Sequence, residues 1–216
     1  MRHDQVQAAI VESLHGRRLL THPFYRRWEA GQLAPDELAA YAEQYRHIER
    51  VLPTVLTALV VRLPESEARD LVAGTLADEL GVPESHAELF EEFARATGAR
   101  PDTPPDESTS SLIDLHLTAA TTDPVAALSM VAAYETQAGA IAVTKSSGLR
   151  EHYGYSAADT RFWDVHAAME GEHAGWSLDA LSLLAGSPDE VRAPAGAAAG
   201  AWWAFLDERE SAAVAA

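Results

Sequence analysis

Apolar residues recur along this chain at three- and four-residue intervals, and alternating β-branched runs are almost absent. That period belongs to helices, so the chain is expected to be all-α. A first helix is read over Asp4 to Leu19, with Val6, Ala9, Ile10, Ser13 and Leu14 inward, ending near His22-Pro23. HPFYRRWEAGQL predicts a short helical turn closed by Gly31; Pro35, Asp36 and Glu37 then open a long helix toward Leu63, with a kink expected at Pro53. On that helix Tyr41, Tyr45, Ile48 and Leu52 share one face, so two phenols lie on an apolar stripe. From Ser66 to Gly98 one further helix is expected, loosened at Gly81 and Pro83. The Pro- and Ser-rich stretch from Ala99 to Ser110 reads as a surface loop. Helices follow over Ser111 to Ala120 and from Asp123, where Asp-Pro supplies the cap and first position, to about Gly148. Ser156 and Asp159 mark the start of another, stopped by Gly186 and Pro188, and a last helix carries Trp202, Trp203, Phe205 and Leu206. The count is about seven to eight helices.

Composition adds limits. With 216 residues, 47% of them hydrophobic, one continuous core is affordable, and a single domain over residues 1–216 is expected. The 33 acidic against 16 basic residues, a net charge of −17, disfavour nucleic acid and anionic membranes as partners. Without cysteine there is no disulfide, no thiolate metal site and no cysteine nucleophile. The N-terminal MRHDQVQAAIVESLHGRR lacks the apolar run of a secretory signal, and the Ala-rich stretch from Ala193 to Leu206 is too short and Gly-broken to span a bilayer. A cytoplasmic protein is the expectation.

The chemistry concentrates in FWDVHAAMEGEHAGW. His166, Glu170 and His173 stand at i, i+4 and i+7, so one helix face carries all three. Imidazole and carboxylate together suit redox iron or manganese better than structural zinc. One helix cannot complete such a site. Glu79 and His86 lie seven apart, two helical turns, and Glu135 sits inside the apolar stretch AALSMVAAYETQAGAIAV, where a buried carboxylate needs a partner. Together these six offer three carboxylates and three imidazoles. That set neutralises three of the four charges of two divalent ions and leaves coordination positions for dioxygen and substrate. Glu12 and His15 form a second Glu-x-x-His beside Glu170 and His173, but on a charged terminal helix where such pairs arise by chance. His3, His22, His47, His116 and His152 read as surface or packing residues, with His22 placed to bond the turn before Pro23.

The order Glu79, His86, Glu135, then His166-x3-Glu170-x2-His173 resembles the haem-oxygenase-like dimetal oxidases, all-helical proteins of this size. HPFYRRWEAGQL followed by YAEQYRHI is similar to the early part of that superfamily, which includes the TenA and PqqC relatives. Glu170 stands where many members have Asp. The resemblance implies a TenA-like bundle, two Fe(II) or a Mn/Fe pair, dioxygen as co-substrate, an external reductant and a homodimer. It disfavours thiaminase chemistry, which uses a cysteine, and haem binding. A closer similarity is to the CADD-type self-sacrificing para-aminobenzoate synthases, which implies redox roles for Tyr25, Tyr41 and Tyr134, with Tyr25 as ring source and Lys145 as amino donor. Beside these roles, Tyr25 and Tyr41 also suit plain core packing, and Lys145 also suits a solvated position near a helix C-terminus. Other branch members imply N-oxygenation or C–C cleavage of a small amino-acid-like substrate, and PqqC-like relatives imply metal-free binding or interaction.

Overall fold

The computed structural model describes residues 1–81 and 84–215, with backbone alone for Glu170 and residues 213–215. Among the described residues are nine α-helices, one 3₁₀ turn and no strand. They are α1 (His3–Ser13), the 3₁₀ turn Leu19–Thr21, α2 (Pro23–Glu29), α3 (Pro35–Arg62), α4 (Glu67–Leu80), α5 (His86–Ala96), α6 (Glu107–Thr122), α7 (Pro124–His152), α8 (Arg161–Leu184) and α9 (Pro188–Ala215). The all-α expectation holds, and the count of seven to eight is too low.

The largest departure is at Gly81. The stretch from Ser66 is two helices, because Gly81 takes φ +41° and a Cβ there would meet the Glu84 carbonyl oxygen at 2.1 Å. Ser85 then starts α5 with a reciprocal cap, its Oγ accepting from the Glu88 amide while Glu88 accepts from the Ser85 amide. Pro83 lies outside the described residues. The first helix also stops early, at Ser13, and the chain turns through Gly16 at φ +73° into the 3₁₀ turn. At α8 the Ser156 and Asp159 pair caps a turn, and the helix proper begins at Arg161.

Two further boundaries move outward, α6 starting at Glu107 behind an Asp106 cap, inside the expected loop, and α7 running past Gly148 to His152, while the starts of α2 and α7 fall where turn chemistry put them. His22 caps α2, its Nδ1 accepting from the Phe24 amide at 3.1 Å while Nε2 bonds Asp207. Asp123 caps α7 through the Val125 and Ala126 amides, and Pro124 fills the first position. α3 runs unbroken through Pro53.

Two apolar clusters fill the interior. An aliphatic one joins α1, the second half of α3, α4, the first half of α7 and the facing parts of α8 and α9, with Ile10, Leu59, Val131 and Leu181 at its centre. An aromatic one joins α2, the first half of α3, α5 and the far ends of α7, α8 and α9, with Trp28, Tyr41, Phe90, Trp163 and Phe205. Gly148 lets α2 press on α7: a Cβ there would stand 3.1 Å from the Trp28 ring. Among the described residues no helix is long and apolar enough to cross a membrane.

Candidate metal centre

The reversal at Gly81 brings Glu79, the penultimate residue of α4, against His86, the first of α5. Their spacing works because the chain folds back, not because two turns of one helix align. Glu79, His86 and His166 of α8 each offer a ligand atom within 4.8 Å of one another, and all three are buried. His86 Nδ1 stands 3.1 Å from Glu79 Oε2, close enough to favour the ionised carboxylate. His166 Nδ1 donates to the Phe162 carbonyl at 2.8 Å, so Nε2 carries the lone pair. Burial, then the nearby His86, lowers His166 to about 4, so it is a neutral ligand at pH 7.

His173 is 2% exposed, one further turn along α8, its ring centroid 6.3 Å from that of His86. Its Nε2 donates to Asp78 Oδ2 at 3.2 Å, which leaves Nδ1 free to coordinate. Glu135 of α7 is buried and accepts a short hydrogen bond from Ser177. Burial pushes Glu135 up to about 8, with the Glu79 charge adding to the effect and Ser177 opposing it. Glu79 goes the other way: burial alone would raise it, but His86, then His166 and His173, outweigh that and hold it low. The side chain of Glu170 lies outside the described part of the structure. Its helical register still places it between His166 and His173.

A second group of residues surrounds Lys145. This side chain is 1% exposed, not solvated, because α7 continues past Gly148 to His152 and Trp28 covers it. Its Nζ lies 4.0 Å from the Trp163 ring centroid, 4.7 Å from those of Tyr25 and Tyr41, and 4.8 Å from that of Tyr45. Nζ donates to Tyr41 Oη at 2.5 Å, and Tyr41 Oη bonds Tyr25 Oη at 2.8 Å. Burial drives Lys145 well below its ordinary range, toward the free amine, and pushes Tyr25 and Tyr41 upward, so both phenols are protonated. Tyr134, half-buried, bonds Tyr45 Oη at 2.6 Å and stacks on Trp202 at 4.3 Å. The three tyrosines and the lysine named from the sequence therefore fall into two bonded groups, Tyr25–Tyr41–Lys145 and Tyr134–Tyr45.

Three contributors escaped sequence reading. Glu49 of α3 is 5% exposed, and its charge, with that of Glu79, is felt across the site. Asp78 orients His173, and Ser177 binds Glu135. Glu49 follows Tyr41 and Tyr45 at four-residue steps, a signal present in YAEQYRHIER. Glu12 and His15 stay exposed at the surface, where Glu12 pairs with Arg192.

The family model described as iron-containing redox enzyme, of haem-oxygenase type, matches residues 39–206. A 4-aminobenzoate synthase of Nitrosomonas europaea is 32% identical over 92% of this chain and 87% of its own. One from Chlamydia pneumoniae is 28% identical over 90% of each. Among solved structures, a TenA homologue from Pseudomonas syringae superposes with TM-score 0.80 at 14% identity, covering 94% of this chain and 91% of that one, a likeness of fold. A match over this much of the chain places it by descent: the protein belongs to the haem-oxygenase-like family of iron-containing redox enzymes.

Proposed function

We propose that this protein is a dioxygen-activating non-haem dimetal oxidase that forms para-aminobenzoate from its own Tyr25, with Lys145 as amino donor. The observation that carries the reading is the Tyr25–Tyr41–Lys145 contact: a buried amine bonded to a phenol pair inside a wall of aromatic rings. A lysine that served only stability would not be held there, since burying an amine among aromatic rings, with no ion pair among the described residues, is costly. The named activity of the Nitrosomonas and Chlamydia relatives supports the same reaction.

Glu79, His86, Glu135, His166, Glu170 and His173 would hold two Fe(II), or one Mn and one Fe, and the donor set fits: buried imidazoles and carboxylates, with ligand atoms of Glu79, His86 and His166 gathered within 4.8 Å. When bound, the metals would supply the activation of dioxygen and an electron acceptor for the phenol, with an external reductant delivering the electrons that dioxygen still needs. The chain's own part is to position and to move protons. Oxidation of Tyr25 requires loss of its phenolic proton, and Tyr41 Oη, 2.8 Å away, receives it while passing its own to the Lys145 amine. The free-amine state that burial favours lets Lys145 take that proton, which it must release again before its nitrogen can act as a nucleophile. Trp28, Trp163 and Tyr45 keep water out of the pocket.

A second reading, oxidation of a small exogenous substrate by N-oxygenation or C–C cleavage, draws on a mainly apolar cavity lined by Ile48, Leu52, Leu112 and Val131 that reaches Glu49, Glu135 and Tyr134. One experiment separates the two. Protein made with ring-labelled tyrosine is loaded with Fe(II), given oxygen and reductant, and assayed by mass spectrometry. The self-consuming reading expects labelled para-aminobenzoate, at most one per chain, with loss of mass at Tyr25, and no product from Tyr25→Phe, which still binds metal. Unlabelled product, multiple turnovers or an active Tyr25→Phe would refute it in favour of an exogenous substrate.

A further inference from the structure

Glu49 is a buried carboxylate with no assigned task. It points from α3 into the space between α4 and α7, and its Oε2 is buried without a hydrogen-bond partner. The groups facing it are Tyr45 from its own helix, Glu79 from α4, and Tyr134, Glu135 and Lys145 from α7, with His116 of α6 and Trp202 of α9 lining the same cavity. No arginine pairs with it among the described residues, and the one lysine within electrostatic reach is itself driven toward neutrality. Tyr45 favours its charged form, while Glu79 repels it. Keeping an ionisable group in the interior costs several kcal/mol unless a counter-charge meets it. Here the partner it faces most strongly is another carboxylate.

We propose that Glu49 is a further oxygen ligand to the metal pair, a fourth carboxylate reaching the ions from the α3 side. The inference rests on the dimetal reading above. Glu79 interacts electrostatically with both Glu49 and Glu135, and Glu49 and Glu135 line one cavity, so cations beside Glu79 would lie where three carboxyl groups converge and would ionise the two that burial protonates. Glu79, Glu135 and Glu170 leave one of the four charges of two divalent ions unbalanced. Glu49 supplies the fourth, which makes the loaded centre neutral in a dry interior. An oxygen that has no partner in the protein then has one.

The test is Mn(II) binding to the chelator-stripped full chain, measured by calorimetry and by electron paramagnetic resonance, together with melting temperatures with and without Mn(II). Wild type is expected to bind two ions. Glu49→Gln is expected to lose one ion or to bind it at least about tenfold more weakly, since even disturbing a ligand's support costs 10–100-fold. Its metal-free form should melt close to wild type, because burial already drives Glu49 toward the neutral, protonated form that Gln mimics, while its gain on Mn(II) addition shrinks. Tyr45→Phe removes the hydroxyl beside Glu49 and should keep two ions. Should Glu49→Gln fail to fold, Glu49→Asp, which keeps the charge but shortens the reach, must show weakened binding. Two ions bound by Glu49→Gln at wild-type affinity, equal loss in Tyr45→Phe, or unchanged affinity in Glu49→Asp each overturns the assignment. Fewer than two ions in wild type overturns the dimetal reading itself, an outcome seen before any variant is compared.

Discussion

Replacing Glu135 by Gln tests whether the site holds a buried acid that only a metal would ionise. In the metal-free fold Glu135 is raised from 4.5 to about 8, chiefly by burial. The folded state therefore keeps a proton that the unfolded chain has released, so this group's contribution to stability is fully present below pH 4.5 and is lost as pH rises toward 8. Between pH 5.5 and 7.5 the folded form holds close to one proton more than the unfolded form. At about 1.4 kcal/mol per pH unit, and allowing for partial ionisation near the upper limit, wild type loses about 2.5 kcal/mol across that window from this residue. The Gln variant has no such proton and loses none of it. His166 works in the opposite sense: lowered from 6.5 to about 4, it makes the fold gain stability as pH rises through that interval. Because His166 is present in both proteins, it cancels in the comparison. The assay is urea unfolding in the presence of a chelator, at both pH values, for both proteins. If the two proteins show the same pH dependence to within about 0.5 kcal/mol, Glu135 is ionised in the metal-free state and the burial argument is wrong.

Further consequences can be checked with the same material. Asp78→Asn leaves the His173 ring without its carboxylate acceptor, and Mn(II) affinity should fall about 10- to 100-fold with little change in metal-free stability; unchanged affinity would remove Asp78 from the site. Gly81→Ala forces a Cβ onto the Glu84 carbonyl at positive φ, and should cost about 1–3 kcal/mol in denaturant unfolding while loosening metal binding through Glu79 and His86. Lys145→Met should abolish para-aminobenzoate formation yet raise the melting temperature of the metal-free protein at pH 7. The sign follows because the depressed Lys145 lets the unfolded chain bind a proton that the fold does not, so wild-type stability is lost as pH falls below the ordinary lysine range. A lower melting temperature for Lys145→Met would mean that its hydrogen bond to Tyr41 outweighs the burial cost.

Fold class was legible because helical period and turn residues are local properties. His22-Pro23, Pro35 and Asp123-Pro124 each act on the few amides next to them, and each boundary lies where those residues stand. The break after Leu80 was half-legible. Gly81 announced a disturbance, but whether it bends a helix or reverses it depends on the close approach of Gly81 to Glu84, which no periodicity shows. Glu79 and His86 do lie together, but through a chain reversal and not through two turns of one helix. Lys145 stood open between a solvated and a buried reading because the end of α7 was placed at Gly148. The four residues that continue the helix, and the cover of Trp28, decide the matter. Glu49 was missed for a related cause. In HIERVLP it stands beside Arg50 and reads as half of a polar surface pair, and only the packing of the other helices on that face buries it.

The distribution of buried ionisable groups argues for function over stability. Glu49, Glu79, Glu135, Lys145, His86, His166 and His173 are all less than a tenth exposed, and they gather where the aliphatic and aromatic clusters meet. Elsewhere buried charges are conventionally matched: Arg46 pairs with Glu91, and Arg209 pairs with Asp106. In the site the carboxylates face one another and the imidazoles, two of them with an atom lacking any hydrogen bond, and the lysine faces phenols. Apolar residues of similar volume would stabilise such a position better. The arrangement is retained at a cost in stability, and the proposed reaction gives that cost a use: cations would enter among the carboxylates, and Lys145 would serve as an amine. The proposed metal binding and nitrogen transfer would thus account for two neighbouring groups of buried residues that folding alone does not explain.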